Sequence, residues 1–310
     1  MAYRHACKRG HRASGMSKRK TARTYRRRYT AKKRTYRKKR AMSKRSILNT
    51  TSQKKRDKML TWTNITAATP FGSTTYLAAP AILAGNTPLY VIPWCSTARD
   101  ATTNLAGNKP NKFDQATRTA SSCYMVGLKE SIEVQCADGL PWQWRRLCFT
   151  FKGGLTLNTF LPASTTPGFS AATEISQGYV RPLNALTASQ YAILFQLLFQ
   201  GTVANDWTDP MTAKLDAERI SIKYDKTVTI ASGNEQGVIR KYNRWHGMRH
   251  NLQYDDDESG GSMATGTTSV ESKIGMGDYW VIDIIKPRMS ATSTNQLSFN
   301  CESTLYWHER

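Results

Sequence analysis

Charge is the first constraint on what this chain can become. Residues 1–45 hold twenty Lys or Arg and no Asp or Glu. A run that dense in one sign repels itself and has almost no apolar surface to bury. It cannot fold alone and becomes compact only around a polyanion. At its centre stand Arg23, Tyr25, Arg26, Arg27, Arg28 and Tyr29, followed by Lys32, Lys33, Arg34, Tyr36, Arg37, Lys38, Lys39 and Arg40, then Lys44 and Arg45. Cations of this kind neutralise phosphates, and the interleaved phenol rings, Tyr3 included, can stack on unpaired bases. A last basic cluster, Lys54-Lys55-Arg56, falls in what reads as a transition over 46–58. All these residues from 23 to 56 are candidate nucleic-acid contacts.

The rest of the chain carries no such imbalance. Residues 1–58 contain 24 Lys or Arg against Asp57 alone, which accounts for the whole net charge of +23. Residues 59–310 contain 21 of each sign. The pattern predicts a neutral body, residues 46–310, with a disordered basic arm, residues 1–45. It points to a dedicated nucleic-acid segment rather than a uniformly basic surface.

The six cysteines, at 7, 95, 123, 136, 148 and 301, form no Cys-x-x-Cys pair. Zinc-ribbon and redox motifs are therefore missing, and the cysteines read as small hydrophobes in a reducing compartment. No apolar region follows the basic N-terminus, so no secretory leader is expected. The longest apolar run, 191–199, is interrupted by Gln196 and too short to span a bilayer. Cytosol or nucleus is the expected location. A basic tract this dense also reads as a nuclear import signal, which makes import machinery an expected partner.

Hydrophobic parity organises the body. Residues 59–63 and 89–92 read as short strands separated by Pro- and Gly-rich loops. Residues 123–136 read as a long strand with Gly127 as a possible bulge. Asp138-Gly139 with Leu140-Pro141 reads as a turn, and 142–151 as the returning strand of an antiparallel hairpin. In that second strand Leu147, Phe149 and Phe151 would point inward, opposite Arg146, Cys148, Thr150 and Lys152. Residues 153–184 read as a long connection. The one good helix signal is 187–199, with Thr187 and Gln190 as a capping box and Gly201 as its terminator. Its apolar stripe is Ala188, Tyr191, Ala192, Phe195, Leu198 and Phe199. Strands return at 219–224, 227–230 and 238–245, and 250–263 reads as an acidic loop. Residues 279–285 are apolar on both sides, as in a central strand. From Leu297 to Trp307 one parity stays apolar or small, marking a final long strand. The expected fold is all-β: an antiparallel β-sandwich of roughly eight strands with long loops and one short helix.

Two constellations suggest chemistry. His246 and His250, four apart, precede Asp255, Asp256, Asp257 and Glu258, a set that could ligate a metal. No helical pattern supports that spacing, so a solvated acidic loop is the preferred reading, and no metal or other cofactor is expected. Arg145 and Arg146 beside Trp142 and Trp144 could form a basic-aromatic patch that stacks on bases. Tryptophans in the core or at a subunit interface are preferred. The phosphate-loop, His-Glu-x-x-His and Gly-x-Ser-x-Gly signatures of common enzymes are missing, and catalysis is not expected.

Several stretches resemble known proteins. Met42-Ser43-Lys44-Arg45-Ser46-Ile47-Leu48-Asn49 after the Tyr/Arg arm is one, and Lys54-Lys55-Arg56-Asp57-Lys58-Met59-Leu60 another. Cys123-Tyr124-Met125-Val126-Gly127-Leu128-Lys129-Glu130 is a third, and the most specific is Gly139-Leu140-Pro141-Trp142-Gln143-Trp144-Arg145-Arg146-Leu147-Cys148-Phe149-Thr150. Leu305-Tyr306-Trp307-His308-Glu309 completes the set. Together they resemble capsid proteins of genomoviruses, small viruses with circular single-stranded DNA. The connecting loops carry no resemblance. The likeness implies a single eight-stranded antiparallel jelly roll, self-assembly into a small icosahedral T=1 shell of sixty copies, encapsidation of single-stranded DNA, and residence in the virion and the host nucleus. The rivals are a non-viral nucleic-acid-binding module with a β body and basic tail, and a metal-dependent nuclease.

Overall fold

A computed structural model describes residues 41–103, 107–152 and 171–310. The arm candidates from Arg23 to Arg40 lie outside these residues. The described chain opens with helix α1 (Lys44–Thr51) and runs into β1 (Gln53–Met59) and β2 (Thr61–Thr63). Loops then separate β3 (Ala81–Ala84), β4 (Tyr90–Cys95), β5 (Ser122–Cys136) and β6 (Trp142–Phe151). After β7 (Thr173–Ile175) and β8 (Gly178–Leu183) comes helix α2 (Ala188–Leu198). The remaining strands are β9 (Ser221–Ile230), β10 (Val238–Gln253), β11 (Asp257–Ser259), β12 (Ser262–Ala264), β13 (Asp278–Pro287) and β14 (Gln296–Glu309). The described body is mostly β, with antiparallel sheets in a sandwich-like arrangement.

Two sheets dominate. The first has the order β1-β14-β5-β10, with β3 also paired to β14, and the second has the order β4-β13-β6-β9. Every pair within them is antiparallel. Strict alternation explains the first sheet. In β14, Leu297, Phe299, Cys301, Ser303, Leu305 and Trp307 are all buried while their neighbours are partly or fully exposed. The second sheet is covered on both sides, which is why 279–285 is apolar on both faces apart from the buried Asp283. Val91, Leu147, Phe149, Trp280, Ile282 and Ile284 pack with α2. From the other side, Tyr90, Ile92, Trp142, Trp144 and Ile285 pack against Phe299 and Ile132 of the first sheet.

That double coverage corrects two expectations. β5 and β6 do not form a hairpin, because β5 belongs to the first sheet and β6 to the second. The turn around Asp138-Gly139 carries the chain across the sandwich, a gap of about 10 Å. Likewise β6 has no polar outer side, since Arg146 and Cys148 are as fully buried as Leu147 and Phe149.

Helix α2 begins as the sequence predicts. The Thr187 amide donates to the Gln190 side chain at 2.9 Å in a capping box, and Gly201 adopts a left-handed φ of 79° just beyond the helix. The buried stripe is rotated from the expected one: Gln190, Leu194, Phe195, Leu198 and Phe199 are covered, whereas Ala188 and Ala192 are exposed. The aromatic rings decide this, because Phe195 and Phe199 both pack on Trp207.

Other corrections concern strands hidden in polar sequence. The transition over 46–58 is instead α1 and β1. The connection 153–184 contains β7 and β8 in its described part, with β8 parallel to β2. β10 runs on through residues assigned to the acidic loop, and β11 and β12 form a small hairpin within it. No helix among the described residues is long and apolar enough to cross a membrane.

Candidate nucleic-acid interface

Of the candidate contacts, Lys44 opens α1 and is exposed, and Arg45 lies in the same helix, with its side chain outside the description. Lys54, Lys55 and Arg56 stand on consecutive positions of β1, so strand parity splits them. Lys54 and Arg56 point outward into solvent. Lys55 points inward and is 2 % exposed. Its ammonium lies 3.2 Å from Glu309 and donates to the Thr117 carbonyl at 2.7 Å and the Thr119 hydroxyl at 3.1 Å. Lys55 is therefore not available to nucleic acid, and its assignment as a contact is withdrawn.

Arg145 and Arg146 are also removed from the surface. Arg145 makes a bidentate pair with Asp225 and donates to the carbonyls of Pro210 and Ala213. Arg146 sits at the centre of a buried network that joins the two sheets. It pairs with Glu130 of β5 and with Asp283 of β13, the latter through Nε at 2.7 Å and Nη2 at 2.8 Å. Trp144 Nε1 donates to Asp283 at 2.7 Å, Arg181 of β8 reaches the same carboxylate at 3.0 Å, and His246 Nε2 lies 3.0 Å from Glu130. Two carboxylates thus face two guanidiniums. Burial alone pushes the Glu130 pKa up, but Arg146, His246 and Arg181 outweigh it and hold this carboxyl well below the usual range. Burial likewise works against the charge on Arg146, and Asp283 and Glu130 overcome it, raising its pKa. The tryptophans here are core, as expected, and the arginines bind the sandwich together rather than a ligand.

The histidine and acidic residues do not converge. A register shift between Gly247 and His250 interrupts the β10 alternation, leaving His246 buried and His250 exposed. Asp256 is not solvated, as the loop reading held, but takes a bidentate pair from Arg118, with Nη2 to Oδ1 at 2.8 Å. Among the described residues no group of three or more His, Cys, Asp or Glu is placed to hold a metal. Cys95, Cys123, Cys136, Cys148 and Cys301 are buried free thiols, and burial pushes Cys136 up to about 11 and Cys301 up to about 12.

What sequence reasoning missed is the company that Lys54 and Arg56 keep. Across the outward side of the first sheet, Lys54 registers with His308, which registers with Tyr124. Arg56 registers with Tyr306, which registers with Gly127. Lys58 registers with Thr304, then Lys129, then Trp245. Trp245 is 52 % exposed, and its ring lies 5.8 Å from that of Tyr306. Gly127 makes this possible: a Cβ there would come within 2.6 Å of the Trp245 ring. The signal was present as the even-numbered parity of β14, but it is readable only once β1 is recognised as a paired strand.

No protein-family model matches the chain, and no curated protein matches it.

Proposed function

We propose that this protein is a viral coat subunit, of the kind its motifs resemble in genomoviruses, which assembles into a small icosahedral shell around single-stranded DNA. The observation that carries the reading is the winding of the eight long strands. Taken in chain order as β1, β4, β5, β6, β9, β10, β13 and β14, they switch sheets at every step except from the fourth to the fifth, so that first pairs with last, then third, then sixth, while second pairs with seventh, then fourth, then fifth. That order supports reading the sandwich as a jelly roll, an architecture used for shell tiles.

Charge supports the same reading. The body is neutral and the leading residues carry the whole net charge of +23. A shell of roughly sixty copies would bring about 1,400 positive charges inside, enough for a strand on the order of one to a few thousand nucleotides. The basic residues from Arg23 to Arg45 serve both packaging and recognition by nuclear import machinery, and the protein's places of residence are the virion and the host nucleus. The role is structural rather than catalytic.

Negative-stain electron microscopy of the expressed chain tests this. Closed, uniform particles containing nuclease-protected DNA are expected. A protein that stays monomeric under every ionic condition would overturn the reading and favour a nucleic-acid-binding module instead.

A further inference from the structure

We infer that the outward side of the first sheet is a second single-stranded DNA site, with bases stacked on Trp245, Tyr306 and Tyr124 and phosphates held by Lys54, Arg56 and Lys129. The inference rests on the coat reading for the identity of its partner, and on the folded body alone for its geometry.

Three observations converge. First, cations and rings run in adjacent columns. Lys54 and Arg56 occupy alternate positions of β1, and beside them on β14 stand His308 and Tyr306 in direct register. Neighbouring strands are about 4.8 Å apart and successive outward positions about 7 Å apart. A polynucleotide can therefore track its phosphates along one column and lay its bases on the other, which is how sequence-indifferent single-strand binders work.

Second, the cations at the centre are free. Among the described residues Lys54, Arg56 and Lys129 make no ion pair, whereas Lys58 is held by Glu302 at 3.2 Å and Lys241 by Glu133 at 3.0 Å. The two acids on this side of the sheet thus neutralise one end and leave the ring-bearing end positive.

Third, the rings are presented rather than packed away. Trp245 leaves half its surface in water although it packs at a tilt against Tyr306 beside Gly127. Tyr124 and His308 form a second pair, with centroids 6.1 Å apart. Burial and the nearby Lys54 depress the His308 pKa, so at neutral pH its ring is uncharged and serves as a stacking surface. Stacking needs unpaired bases, which selects single strands over a duplex.

The test uses the full chain and a labelled twenty-nucleotide oligothymidylate. Ultraviolet crosslinking followed by peptide mapping is expected to mark the segments bearing Trp245 and Tyr306 as well as residues 1–45. The double variant Arg56→Gln/Lys129→Gln, at exposed positions, is expected to melt like the parent. It should bind about tenfold more weakly, with the log–log salt slope reduced by about 1.4. Trp245→Ala should also lose about tenfold, and Trp245→Phe should recover most of it. Crosslinks confined to residues 1–45, with affinity and salt slope unchanged in the variants, would overturn this site and leave arm-driven packaging intact. So would variants that bind normally but no longer assemble, because the surface would then be a contact between copies. Failure of the parent chain to bind the oligonucleotide would sink the packaging reading and this site together.

Discussion

Lys55 and its neighbours Lys54 and Arg56 share one strand and one composition, yet their fates are opposite. The inward lysine is desolvated and bound by Glu309, while the outward pair remains in water without a carboxylate partner. The same division holds for the whole sandwich. Between the sheets, Arg146 and Arg181 meet Glu130 and Asp283, and Arg244 lies over the rings of Trp144 and Tyr242. On the outer side of the first sheet, Lys58 and Lys241 pair with Glu302 and Glu133, while Lys54, Arg56 and Lys129 make no ion pair among the described residues. The lesson is that a basic residue's role is decided by which side of a strand it takes, not by the richness of the run around it. Inside, charge fixes the alignment of two sheets; outside, it remains for a partner.

Four experiments can break or sharpen this contrast. The largest effect is expected for the most unmatched charge of all. Deleting residues 1–45 should abolish recovery of protected DNA and nuclear entry while the body still melts cooperatively. Retention of both functions would contradict the division of labour.

Next comes the best-matched cation. Arg146→Met should cost roughly 4 kcal/mol in chemical denaturation, because it leaves Glu130 and Asp283 buried with too little compensation.

Third is the direct comparison within β1. Lys55→Met should cost about 3 kcal/mol, since Glu309 would be left desolvated. Lys54→Met and Arg56→Met should each stay within about 0.5 kcal/mol of the parent. Equal losses at all three positions would erase the distinction.

The smallest effect concerns Asp278, a buried carboxylate served by hydrogen-bond donors instead of a guanidinium. Ser269, through its amide and hydroxyl, and the Thr97 hydroxyl donate to it. Burial outweighs these donors and raises its pKa to about 6. A carboxyl with a raised folded-state pKa binds its proton more tightly when folded than when unfolded. Its contribution is fully present below the unfolded value and is lost as pH rises through about 6. Relative to Asp278→Asn, the parent should therefore gain about 2 kcal/mol between pH 7 and pH 4.5. Glu130, whose pKa is shifted the other way, should not respond until more acid conditions.

Sequence parity was a reliable guide where burial was one-sided or complete. β5, β13 and β14 were all legible, down to the irregularity at Gly127, because period-two alternation or an apolar run broken only by Asp283 leaves few alternatives. It failed for β1, where Gln-Lys-Lys-Arg-Asp-Lys-Met reads as the end of a tail. There the inward charges of Lys55 and Asp57 are tolerated only because Glu309 and Arg99 meet them from distant parts of the chain. It also failed to assign partners. The turn at Asp138-Gly139 looks the same whether the next strand pairs beside the last or crosses the sandwich, and only packing on both sides of β6 decides. The outer surface was illegible for the same reason, since Arg56 meets Tyr306 through a pairing that local pattern cannot reveal. The candidates from Arg23 to Arg40 rest on composition, which gives their charge but no register.

The pairing of β1 with β14 joins Gln53 to Glu309 and so closes a loop of nearly the whole body. Synthesis delivers β1 well before β14. Until β14 emerges, β1 and β5 have no common neighbour, although β5 can already pair with β10. A loop so long makes closure slow, and it also makes closure late. The first sheet, with Lys54, Arg56 and the exposed rings on its outer side, then comes into being only after β14 has been made, so a nascent chain that lacks β14 cannot display that surface.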